Sequence, residues 1–257
     1  MKSQLISLNN IGLILIGTTL LSFFPIQSAQ SFSVTIGEPD IPTSAQSGTF
    51  MIDFDDGNST VTNSGITYTY SGDYQILDAD TNGGANNTGK YITNGPGSNA
   101  SYTISIDADQ KYFGFWWSAV DPENIIEFYD NNNLVFSFNS DNLLAFIPPN
   151  SNVTAINNAP YDTDFFYGNL GNNTGEAYLF MNFYAQGTEV YDRIDIYQTD
   201  NTGLVQSDNH TFSTTQYTAT GYEVPVPFAF SPALGLLLSG GGWLGIGYFQ
   251  RKKAVDQ

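Results

Sequence analysis

The chain of 257 residues has no cysteine and a single histidine, His210. Without thiols there are no disulfides, no thiolate nucleophile and no cysteine-ligated zinc, and one histidine does not make a zinc enzyme. Bases are nearly as scarce: seven Lys and Arg stand against 25 Asp and Glu, for a formal net charge of −18. Between Gln30 and Tyr222 the bases are Lys90, Lys111 and Arg193. Such a surface repels nucleic acid and anionic lipid, which excludes nucleic acid as a partner, and it attracts divalent cations. Helical periodicity is missing from the body as well, apart from one turn's worth at Asp141 to Phe146.

What is abundant is aromatic: 3 Trp, 16 Tyr and 19 Phe. A protein without disulfides must be held by its core, and this supply suffices for one. Alternation with a period of two dominates, as in Ser101 to Ile106 and Glu189 to Tyr197. Further strands are expected at Phe32 to Ile36, Thr49 to Phe54, Ile66 to Tyr70, Tyr74 to Leu77 and Ile125 to Tyr129. Three more follow at Leu134 to Phe138, Ala177 to Tyr184 and Thr211 to Thr215. Asp130-Asn131-Asn132-Asn133 sits between two aromatic strands and reads as a hairpin turn, since Asn and Asp tolerate the left-handed backbone. About ten short strands with turns between them predict an all-β antiparallel sandwich of jelly-roll type, one domain over residues 30–222. Pro148 to Thr163 is expected to be a surface loop.

In "KYFGFWWSAV", Phe113, Phe115 and Trp117 point one way and Tyr112 and Trp116 the other. A central strand buried on both sides explains the pattern; an exposed Trp116 would instead make a platform for sugar rings. Two acidic loops suggest calcium. Asp78, Asp80 and Asn82, followed by Gly83, match the start of a calcium loop, although Gly89 stands where a bidentate Glu is expected. Asp53 to Asn58 is a poorer version. Ser207-Asp208-Asn209-His210 holds the residue types of a hydrolase triad, but adjacency in sequence is not triad geometry, and a turn entering the next strand is the expectation.

Both ends carry membrane signals. Lys2 precedes an apolar run from Ile11 to Phe24, too short for a span, and Ala29 or Ser31 offers a small-residue cleavage site. Residues 1–29 therefore read as a signal peptide. At the other end, residues 228–249 contain no charge, and 22 residues of helix reach about 33 Å against a hydrocarbon core of about 30 Å. Arg251-Lys252-Lys253 follows directly and would stay cytoplasmic under the positive-inside rule, leaving the acidic body outside.

The tail, residues 223–257, resembles the PEP-CTERM class of sorting signals recognised by exosortases: a short proline motif, an apolar helix, then a basic cluster. Pro225-Val226-Pro227 takes the place of the Pro-Glu-Pro triplet, with valine where the triplet has glutamate. The body, from about Tyr102 onward, is similar to exosortase-dependent surface proteins of cyanobacteria, in "KYFGFWWSAVDPENIIEFYDNNNLVFSF", "EAYLFMNFYAQGTEVYDRIDIYQTD" and "SDNHTFSTTQYTATGYEVP". The resemblance implies an exported β-rich domain held at the cell surface or passed to extracellular polymer, and it supplies no catalytic residues. Three functions follow in order of expectation: a non-enzymatic surface or matrix protein sorted by an exosortase-type enzyme, a carbohydrate-binding module acting on extracellular polysaccharide, and a carboxylate-pair glycosidase.

Overall fold

A computed structural model describes residues 32–94, 100–155, 158–169, 172–199 and 203–225. The chain is mostly β, in antiparallel sheets. Its first half contains β1 (Phe32–Ile36), β2 (Phe50–Ile52), β3 (Thr60–Asn63), β4 (Ile66–Gly72), β5 (Tyr74–Asp78), β6 (Lys90–Asn94), β7 (Ser101–Gln110) and β8 (Tyr112–Ser118). Next come β9 (Asn124–Asp130) and β10 (Asn133–Asn139), then the short helix α1 (Ser140–Phe146), capped by Asn139, whose side chain accepts from the Asp141 amide. The second half holds β11 (Asn152–Thr154), β12 (Pro160–Asp162), β13 (Tyr167–Asn169), β14 (Asn172–Ala177), β15 (Leu179–Ala185), β16 (Tyr191–Gln198), β17 (Gln206–Ser213) and β18 (Tyr222–Glu223).

Two sheets carry the architecture. The larger runs β18-β1-β15-β8-β17-β6-β5, with β2 also paired to β17; the smaller runs β10-β9-β16-β7-β4-β3. Their apolar faces meet in one core. From the large sheet come Phe113, Phe115, Phe183 and Phe212, and from the small sheet Tyr102, Ile104, Phe128 and Ile194, all essentially inaccessible. Rings interlock across the seam: Phe32 stacks on Phe136 at 4.6 Å, and Phe128 lies 5.1 Å from Phe183. Full burial of each such side chain contributes roughly 2–3 kcal/mol, which is how a chain without disulfides holds together.

The alternating segments become strands where the pattern places them, because each alternation offers one apolar face to the shared core. The hairpin signal is met by β9 and β10, joined by Asn131 (φ 48°) and Asn132 (φ 66°), both left-handed as a two-residue mirror-image turn requires. β8, β15 and β17 are buried at every residue, so they lie inside the sheet with both faces covered. The outer face is covered by irregular chain: Ser44 Oγ meets Tyr112 Oη at 2.6 Å, and Gln46 Nε2 donates to Tyr184 Oη at 3.2 Å.

Several expectations need correction. Pro148 to Thr163 is not wholly irregular, since β11 and β12 form a three-residue hairpin inside it. Strands so short and polar leave no periodic trace. β17 starts at Gln206, well before the expected Thr211, and so takes in the segment read as a turn. The folded part also reaches past residue 222, because Val224 is buried and its amide donates to Val34 O at 2.9 Å.

Candidate functional site

The triad-type residues lie on a β-bulge. Opposite β8, Ser207 pairs with Trp117 and Asp208 with Trp116, after which the register slips and Thr211 pairs with Gly114. Asn209, at φ 51°, is the left-handed residue that takes up the slip. Ser207 and His210 thereby face the core and Asp208 the outer face. His210 Nε2 lies 2.9 Å from Ser207 Oγ, which lies 2.9 Å from Tyr102 Oη; His210 Nδ1 lies 3.0 Å from Tyr70 Oη. The four groups form one polar chain across the core, tying β17 of the large sheet to β4 and β7 of the small one.

This arrangement is structural. His210 is wholly buried among Phe54, Phe113 and Phe115, and desolvation pushes its pKa down to about 3, so the imidazole is neutral. Burial likewise raises the pKa of Tyr70 and of Tyr102. A serine with its base needs access for a substrate, and Ser207 is fully buried.

On the opposite face Asp208 is 3 % exposed. Its Oδ2 accepts from the Ala85 amide at 2.8 Å and its Oδ1 from the Asn209 amide at 2.6 Å. Burial raises its pKa to about 7 against those two amide bonds, with Asp53 and Asp55 adding to the rise.

Asp78, Asp80 and Asn82 each bond to a different partner. Asp78 Oδ1 pairs with Lys90 Nζ at 2.6 Å, which lowers the Asp78 pKa. Asp80 Oδ1 accepts from the amides of Asn82 and Gly83 at 2.8 and 2.9 Å, closing an Asx turn. Asn82 Oδ1 accepts from Asn173 Nδ2 at 3.2 Å. In the second acidic loop Asp55 Oδ1 accepts from the Lys90 amide at 2.9 Å. No group of three or more acidic or histidine side chains arranged to hold a metal occurs among the described residues. Each of these side chains thus has a protein partner of its own: an Asx turn for Asp80, Lys90 for Asp78 and Asp55, and Asn173 for Asn82.

Trp116 is 3 % exposed, packed with Ala85, Ala119, Tyr178 and Phe180 under the covering layer. A sugar ring stacks on an accessible aromatic face, and Trp116 has none; the doubly buried strand is the correct reading of "FWW".

The covering layer leaves an opening over β15. There a pocket of about 540 Å³ has Phe180 and Asn182 among its lining, with Glu38, Ile41, Tyr161 and Tyr222 around it. Small residues make the room: Gly37, Ala155, Ala159, Ala219 and Gly221 also line it. Asn182 is 5 % exposed; its Oδ1 accepts from Tyr112 Oη at 2.7 Å, and its Nδ2 reaches Thr35 O at 3.5 Å. Beside it, on the paired residue of β1, the buried Thr35 Oγ1 has no hydrogen-bond partner. Glu38 is the one carboxylate of the lining, so the pocket does not offer the acid pair of a glycosidase. No spacing in the sequence announces this pocket, because its residues come from four separate segments.

Pro225 is exposed at the end of the last described segment; Val226, Pro227, the apolar run 228–249, Arg251, Lys252 and Lys253 lie outside the described residues, as do residues 1–29. Among the described residues no helix is long and apolar enough to cross a membrane. No protein-family model matches the chain, and neither does any curated protein or solved structure.

Proposed function

We propose that the chain is an exported, non-enzymatic protein of the cell surface or extracellular matrix, structural or adhesive in role, sorted through a PEP-CTERM-like tail. In this reading residues 1–29 direct export and are removed. The two-sheet body is a jelly-roll-like sandwich exposed outside the cell. Residues 228–249 cross the membrane as a helix until an exosortase-type enzyme reads Pro225-Val226-Pro227, and Arg251, Lys252 and Lys253 hold the cytoplasmic side.

The observation that carries the proposal is the three-part tail, with three of the chain's seven bases set together behind its apolar run. Two features of the fold support it. β1 begins at Phe32, next to the expected cleavage sites, and is buried at once. β18 ends at Glu223, two residues before Pro225 of the motif. Consistent with an acidic surface that rejects nucleic acid and anionic lipid, each base of the described residues is engaged internally. Lys90 pairs with Asp78, Lys111 Nζ donates to the carbonyls of Gly187 and Glu189, and Arg193 sits between Asp195 and the Tyr129 ring.

Intact mass spectrometry of the protein released from its native cells tests the proposal. The expected species lacks the residues beyond about Pro227. A chain still ending at Gln257 would leave a simple membrane anchor and remove the sorting step.

A further inference from the structure

We propose that the pocket over β15 binds a neutral sugar unit of a glycan, a proposal that deepens the surface reading by naming what the body holds. Three features of the pocket argue for it. Its accessible aromatic surface is one ring: the half-buried Tyr161, held edge to face at 5.7 Å by the buried Tyr222, with the exposed Ile41 also in the lining. Against such a ring the C–H face of a pyranose packs well. Polar groups of both kinds stand beside that surface. Asn182 keeps donor capacity, since its two amide hydrogens have one long bond between them, and Glu38 and Thr43 add an acceptor and a hydroxyl. Hydroxyl groups, which donate and accept, suit this mixture better than a purely apolar ligand.

Charge selects among polyhydroxylated ligands. No base lines the pocket, and all three bases of the described residues are committed elsewhere. A uronate, sulfate or phosphate would enter beside Glu38, on a chain of net charge −18, with nothing to pair with. The volume of about 540 Å³ falls in the range of small-ligand sites, enough for one or two sugar rings.

The test is a glycan array carrying neutral, acidic and amino-sugar glycans, probed with the full chain in detergent. Binding is expected on neutral glycans alone. Ala219→Trp, which fills the pocket from a partly exposed position, should abolish it, and Tyr161→Ala should weaken it at least tenfold. Ala219→Trp should keep the wild-type melting temperature; Tyr161→Ala gives up ring contacts with Phe165, Phe166 and Tyr222 and is read against Tyr161→Phe, which preserves the ring and should retain most of the binding. Silence across the array, preference for acidic or amino-sugar glycans, or binding that survives Ala219→Trp would each overturn the proposal. Tail processing is read separately by intact mass, so failure here and failure of the sorting reading are distinguishable.

Discussion

Asp208 and His210 stand two residues apart on β17 yet face opposite sides of the sheet, because the left-handed Asn209 between them inserts a bulge opposite β8. A regular strand would turn both to the same face. The bulge sends the carboxylate to the Ala85 amide and the imidazole into the aromatic core.

Their titrations oppose each other. Asp208 has its pKa raised from 3.8 to about 7, so the fold is favoured while the proton is held and loses that advantage as pH rises through about 7. His210 has its pKa lowered from 6.5 to about 3, so the fold loses stability as pH falls below 6.5. Between about pH 4 and 6.5 the two slopes nearly cancel, each being at most about 1.4 kcal/mol per pH unit. His210→Gln should therefore gain stability relative to wild type as pH is lowered across that window, and Asp208→Asn should lose it. Urea midpoints from pH 4 to 8 provide the check, and parallel profiles for all three proteins would refute the opposed pair.

Ser207 is the middle of the polar chain through the core, so its removal strands two partners at once. Ser207→Ala should destabilise by about 2–4 kcal/mol, against about 1 kcal/mol for Tyr102→Phe, which frees one bond and leaves His210 satisfied. The double variant should cost little more than Ser207→Ala, because the Tyr102 bond is already gone. Chemical unfolding of the three proteins measures the coupling; additive losses would mean that the chain does not act as a unit.

Asp80 Oδ1 accepts from two backbone amides, so its removal unties a turn in any ionic medium. Asp80→Ala should lower stability by about 1–2 kcal/mol in chelator and in calcium alike. Melting temperatures should agree in calcium and magnesium at equal ionic strength, the shared rise coming from screening of the acidic surface. A shift specific to calcium and lost in Asp80→Ala would restore the ion site.

Gly221 enters β18 at φ +92°, and a Cβ there would stand 2.2 Å from Ile36 O. The obstacle is backbone and has no room to give. Gly221→Ala should displace β18 from β1, lower the melting temperature by several degrees and speed proteolysis near Tyr222. Unchanged proteolysis would show that β18 is not held by this close approach.

Much of the fold was legible because a period of two survives wherever one strand face is buried. Phe32 to Ile36 matches β1 residue for residue, and Asn131-Asn132 marks the β9–β10 turn by residue type. Lys90 to Asn94 and Thr60 to Asn63 escaped notice; the first lacks alternation, and the second has one apolar residue. Ser207 to His210 misled for a physical reason: a bulge and a turn both call for a polar left-handed residue, and only the pairing partner tells them apart. The pocket was not legible at all, since Glu38, Tyr161, Asn182 and Tyr222 meet through the packing of distant segments.

β18 pairs with the first strand of the body through Thr35 with Glu223 and Ile36 with Tyr222. Mechanically, this makes the join between body and tail a short zipper. Tension arriving along the tail reaches Val224 and Glu223 first, and an edge strand of two residues opens bond by bond instead of sharing the load. Resistance comes from the buried side chains of Tyr222 and Val224, which must leave the core before β1 is exposed. Pulled from this end, as the proposed anchoring would pull it, the body therefore yields at β18 while β1, β15 and β8 stay paired, and the strain stops at the edge of the sheet.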